Sequence, residues 1–94
     1  MRWSISVRAD GDRPMEREEI VEFADAVAPW HGIASGIGTS SYSAQVVIEA
    51  EGSDEAVDAA IKIFEQAAQT AGLPSWPVVW AEAVSEEQEF EELG

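Results

Sequence analysis

The chain opens on strict alternation: in "RWSISVRA" the apolar Trp3, Ile5 and Val7 take every second place, with Arg2, Ser4, Ser6 and Arg8 between them. A period of two marks a strand with one covered and one solvated face. "DGDRP" then breaks the pattern with turn residues, and Pro14 suits the first turn of a helix, where its missing N–H is no loss. Ile20, Phe23, Ala24, Val27 and Ala28 recur at helical spacing, with Glu16, Glu18, Glu19 and Glu22 turned outward and placed early enough to complement the helix dipole. Pro29 ends that helix.

A second strand is expected from about Trp30 to Gly38, with a turn at Thr39 and Ser40. "YSAQVVIEAE" predicts a third, with Tyr42, Ala44, Val46, Ile48 and Ala50 on one face. Gly52 and Ser53 punctuate; Ser53 is the expected N-cap, followed by Asp54 and Glu55 at the dipole. Val57, Ala60, Ile61, Phe64, Ala67, Ala68 and Ala71 then form one helical stripe, and Gly72 stands where a C-terminal glycine belongs. "PVVWAEAV" supplies a fourth strand. In "SEEQEFEELG", Ser85 and Gln88 fit a capping box, and Phe90 and Leu93 share one apolar side. The reading is a frayed acidic tail over 86–94, a docking segment being the alternative.

The order strand, helix, strand, strand, helix, strand predicts one α+β domain over 1–85. Each helix can carry the chain between parallel strands while the middle pair forms a hairpin. That is the ferredoxin-like βαββαβ sandwich: a four-stranded antiparallel sheet with two helices on one face and nothing on the other.

The glycines of "HGIASGIGTSS" bear on that open face. With Ile33 and Ile37 directed at the helices, Trp30, Gly32, Ala34, Gly36 and Gly38 project onto it as a nearly smooth row. Glycine in a strand commonly marks close approach of another backbone or a ligand. In strand four, burying Glu82 under the helices would be expensive. Val79, Ala81 and Ala83 are therefore expected beneath the helices, with Val78 and Trp80 on the open face. Arg2 and Arg8 lie on that same face of strand one, available to carboxylates or to an anion.

Charge narrows the partners. Nineteen acids against five bases give a formal net charge of −14, a field that repels nucleic acid and anionic membrane. It leaves room for a partner with a basic surface or for mimicry of nucleic acid. No segment has the roughly 20 apolar residues of a membrane span, and the N-terminal ten residues lack a signal peptide's apolar core, so a cytoplasmic location is expected. The absence of cysteine removes disulfides, thiolate nucleophiles and Cys-ligated zinc together.

Motif chemistry is sparse. Gly36 and Gly38 lead into a strand, unlike a dinucleotide fingerprint; the only lysine, Lys62, is mid-helix and far from any Walker loop; and "GIASG" sets Ser35 directly against Gly36, which is not a hydrolase elbow. His31 is the only histidine and has no second imidazole or thiolate to join it on a metal. No metal and no cofactor are expected.

The function expected from these residues is a non-enzymatic binding module that homodimerises through its open sheet face. "DGDRP", followed by a glycine-bearing second strand, resembles the ACT family of amino-acid-binding regulatory domains over about thirty residues; Met15 stands where that family usually has glycine. The resemblance implies a small-molecule sensor with Asp10, Asp12 and the first turn of helix one at a ligand site between subunits. Fold analogy with dimeric α+β barrels gives an enzyme whose pocket His31, Trp30, Trp80 and Tyr42 would line. An acidic protein that binds a basic partner is the remaining class.

Overall fold

The computed structural model describes residues 2–85. Its elements are β1 (Arg2–Asp10), α1 (Arg17–Val27), a 3-10 turn (Ala28–Trp30), β2 (Ile33–Ser35), β3 (Ser41–Glu49), α2 (Ser53–Thr70) and β4 (Val78–Ser85). The expected tail over 86–94, with Phe90 and Leu93, lies outside the described residues.

The strands form one sheet in the order β2-β3-β1-β4, and every neighbouring pair is antiparallel. It follows that β1 and β2 run parallel with β3 between them, and β3 and β4 run parallel with β1 between them. β1 sits centrally because its alternation serves both neighbours. Its register runs from Arg2 opposite Glu49 to Asp10 opposite Ser41 on β3, and from Trp3 opposite Ser85 to Ala9 opposite Val78 on β4.

One face of the sheet and both helices close the core. Ile5, Val7 and Ala9 of β1 and Tyr42, Ala44, Val46 and Ile48 of β3 are buried against Ile20, Phe23 and Val27 of α1 and Ala56, Ala60, Phe64, Ala67 and Ala68 of α2. Alanines on α2 let that helix lie close to the sheet, and aromatic rings fill what remains. Phe23 meets Tyr42 and Phe64 edge-on, each at 5.3 Å between centroids, and Tyr42 stacks on Phe64 at 5.3 Å and tilts against Trp76 at 5.6 Å. These are the offset and T-shaped arrangements that ring quadrupoles favour.

The helix ends are built locally. Glu16 caps α1 through a reciprocal box in which the Glu19 carboxylate accepts the Glu16 N–H; Pro14 lies ahead of the helix rather than in its first turn. α2 begins one residue earlier than expected, with Gly52 at the N-cap and Ser53 already inside the helix. Its far end is a Schellman closure: Gly72 takes φ +76, Gly72 N–H donates to Gln69 and Leu73 N–H to Ala68. Ala28, counted with the α1 stripe, is exposed in the 3-10 turn.

Two strands depart from the expected pattern, each for a local reason. β2 is three residues long, and Trp30 belongs to the 3-10 turn before it. His31 takes a left-handed φ of 55°, and Gly32 donates its N–H to Val27 O, whose carbonyl would stand 2.5 Å from any Cβ on Gly32. The α1 exit therefore resets the pleat by one residue. Ala34 pairs with Ala44 on the helix side, while Ile33 and Ser35 pair with Gln45 and Ser43 on the open side. In β4 a bulge opposite Arg8/Ala9 leaves Val79 without a partner: Trp80 faces Arg8, but Val78 faces Ala9. The extra residue turns Val78 to the helix side, where it packs on the core, and leaves Val79 half exposed.

Candidate binding face

The face away from the helices is read directly from the register. β1 contributes Arg2, Ser4, Ser6, Arg8 and Asp10; β3 contributes Ser41, Ser43, Gln45, Val47 and Glu49. Ile33 and Ser35 of β2 stand at one edge, Trp80, Glu82 and Val84 of β4 at the other. Ile33 is 67% exposed and Trp80 44%. Between them lies a shallow basin of about 350 Å³, lined by Ser6, Arg8, Ser35, Ser43, Gln45 and the two apolar walls.

Its floor is polar. Ser35 and Ser43 hydroxyls meet at 2.6 Å across β2 and β3, and Arg8 turns Nε toward Asp10 at 3.3 Å, both side chains about half exposed. Arg8 and Trp80 are direct cross-strand partners, which places a guanidinium beside an indole on one surface. The three acids of the face, Asp10, Glu49 and Glu82, lie outside the basin lining. Among the described residues the face thus carries three acids and two arginines, in a chain whose formal charge is −14.

Of the residues singled out from sequence, the fold brings Arg8 and Trp80 together. The glycine row does not exist on this face. Gly32 packs on Val27; Gly36, at φ +135, has Ser41 O and Tyr42 Cα where a Cβ would go; Gly38, at φ +77, sits in open space at the turn. These glycines answer backbone geometry at the β2 ends. Ala34 is half-buried toward the helices, and Ile37, expected under them, is 54% exposed and bridges Met15. Val78 is on the core side, and Trp30, 36% exposed, and His31 are in the α1 exit, off the sheet. Arg2 lies at the far end of β1, opposite Glu49. Asp12 is exposed in the turn after β1.

Tyr42 is a core residue. It is 2% exposed, its hydroxyl donates to Pro74 O at 2.8 Å, and burial raises its pKa. It helps hold the loop before β4, as does Trp76, whose indole covers Gly11 so closely that no Cβ fits there. Arg13 lies over the same indole at 5.9 Å. The turn from which the ACT-like ligand site was expected is thus packed against Trp76.

Sequence reasoning placed Ile33 under the helices, where the structure puts it 67% exposed on the open face, and overlooked Ser35, Ser43 and Gln45 as face residues. Ser43 and Gln45 were legible as the polar half of the β3 alternation. Ile33 and Ser35 were hidden by the left-handed turn at His31. Among the described residues no group of three or more His, Cys, Asp or Glu is placed to hold a metal ion, and no helix is long and apolar enough to cross a membrane. Comparison of the chain with protein-family models, with curated proteins and with solved structures finds no match.

Proposed function

We propose that this chain is a ferredoxin-like binding module that works through its open sheet face and pairs there with a second copy of itself. The order β2-β3-β1-β4, with a helix after β1 and another after β3, supports the ferredoxin-like reading. The observation that carries the functional reading is the charge partition. A chain at −14 repels its own copies almost everywhere, but this face is nearly balanced and bears Trp80 and Ile33 in the open. Covering either side chain recovers roughly 2 kcal/mol at about 25 cal/mol/Å².

Area sets the strength. Strands of 9, 9, 8 and 3 residues, at about 3.4 Å by 4.8 Å per residue, give a footprint of about 500 Å². Standard interfaces bury roughly 800 Å² per partner. Pairing is therefore weak and depends on concentration. Light scattering from roughly 1 µM to 1 mM, a span that brackets weak pairing, is expected to show mass rising from monomer to dimer. Trp80→Glu should hold the monomer at every concentration with little change in melting temperature. A wild-type monomer throughout overturns the reading.

A further inference from the structure

We infer that the basin between Ile33 and Trp80 binds a small planar molecule carrying one carboxylate, of the aromatic monocarboxylic acid class. The inference rests on the open face being the binding surface, but it needs only a single copy of the chain.

The walls and floor have different chemistries. Trp80 on β4 and Ile33 on β2 offer apolar surfaces on opposite sides of the basin, suited to a flat ring. Arg8, directly across from Trp80, presents a planar fork that matches a carboxylate. Its existing contact with Asp10 uses Nε at 3.3 Å between two half-exposed side chains, the kind of surface pair that holds its partner loosely. The Ser35–Ser43 contact at 2.6 Å consumes one hydroxyl proton, so the accepting hydroxyl keeps its own for a ligand oxygen. Gln45 adds an amide that can donate or accept.

Charge selects the ligand class further. Among the described residues no acid lines the basin; Asp10 meets Arg8 only at Nε, which leaves the terminal nitrogens of the guanidinium for a single ligand carboxylate. The rest of the chain carries a strong negative excess, and at physiological salt its field reaches about 8 Å. A second negative charge on the ligand would project into that field. The basin is thus matched to a monoanion and poorly matched to phosphate or to a dicarboxylate.

The test is a titration of the full chain with benzoate, followed by amide and indole N–H chemical shifts in 15N-labelled protein, with benzamide and phthalate in parallel. Saturable shifts are expected at Ser6, Arg8, Ser35, Ser43, Gln45 and the Trp80 indole, with benzoate tighter than either control by about tenfold, the scale of one charge-assisted hydrogen bond. Gln45→Glu changes an exposed side chain with little change of shape, and should weaken benzoate by about tenfold more than it weakens benzamide; Trp80→Ala should abolish saturation for both. No basin shifts at about 20 mM benzoate, well beyond a millimolar Kd, would overturn the site, and benzamide binding as tightly as benzoate would overturn the ligand class. Light scattering on the same samples separates the two ideas. Saturable basin shifts on a permanent monomer remove the pairing alone; because pairing covers the basin, the ligand site is read at a protein concentration where scattering shows monomer, and absent basin shifts there remove the ligand site alone.

Discussion

Gly36 and Gly38 look interchangeable in the sequence, and the structure separates them. Both have positive φ, but a Cβ on Gly36 would lie 2.5 Å from Ser41 O and 3.0 Å from Tyr42 Cα, whereas one on Gly38 meets nothing within 4 Å. Gly38→Ala is expected to cost about 1 kcal/mol, the backbone penalty alone. Gly36→Ala adds a collision with backbone and should cost about 3 kcal/mol. Urea denaturation of the two variants side by side checks the order. Glu19 offers a second test. Arg13 grips its carboxylate at 2.9 and 2.7 Å and the Glu16 N–H donates to it at 3.1 Å, so its pKa falls from 4.5 to about 2. A carboxyl whose folded pKa is depressed stabilises the fold fully above its unfolded pKa, and the benefit disappears as pH falls through the folded value. Glu19→Gln keeps the capping hydrogen bond but loses the charge. Its deficit against the wild type should be constant near neutrality, narrow between pH 4.5 and 2, and vanish below. A deficit that does not change with pH would contradict the assignment.

At the scale of elements, Phe64 holds the two helices and β3 together through contacts with Phe23 and Tyr42. Phe64→Ala should cost about 3–5 kcal/mol, against a total near 5–15 kcal/mol for a domain, and thermal unfolding is expected to shift far enough to leave little folded protein at 37 °C. β1, β3, both helices and the connection order were legible because each obeys one uninterrupted period. The β1 and β3 sides were right residue by residue, and so were Ala81, Ala83 and Trp80 on β4. What could not be read were two phase slips. A left-handed residue at His31 and an unpaired Val79 leave no mark in the hydrophobic pattern, yet each moves neighbouring side chains to the opposite face. The expected glycine row was a casualty of the first slip, and the expected place of Val78 of the second. The open face is consequently serine-floored rather than smooth, which shifts the weight of its chemistry from backbone contact toward polar recognition.

At the scale of the whole molecule, charge governs association. Copies at −14 repel through solvent, so salt should strengthen face-to-face pairing as it screens that repulsion. Sedimentation in about 50 mM and about 500 mM sodium chloride, Debye lengths of roughly 14 and 4 Å, is expected to show the larger dimer fraction at high salt. A basic protein partner would behave in the opposite way, its complex dissolving as salt rises. One titration therefore distinguishes a like-charged partner from an oppositely charged one.

The unpaired Val79 also gives β4 one residue of slack. Val78 keeps its place on the core and Trp80 its place beside Arg8 because the residue between them is absorbed outside the ladder. Removing Val79 would leave a regular ladder with both neighbours on their present sides, so a chain shortened at this position is expected to fold with an unchanged aromatic circular dichroism spectrum. A deletion two residues further on, at Ala81, has no such reserve: it would drag every later side chain of the strand through the sheet.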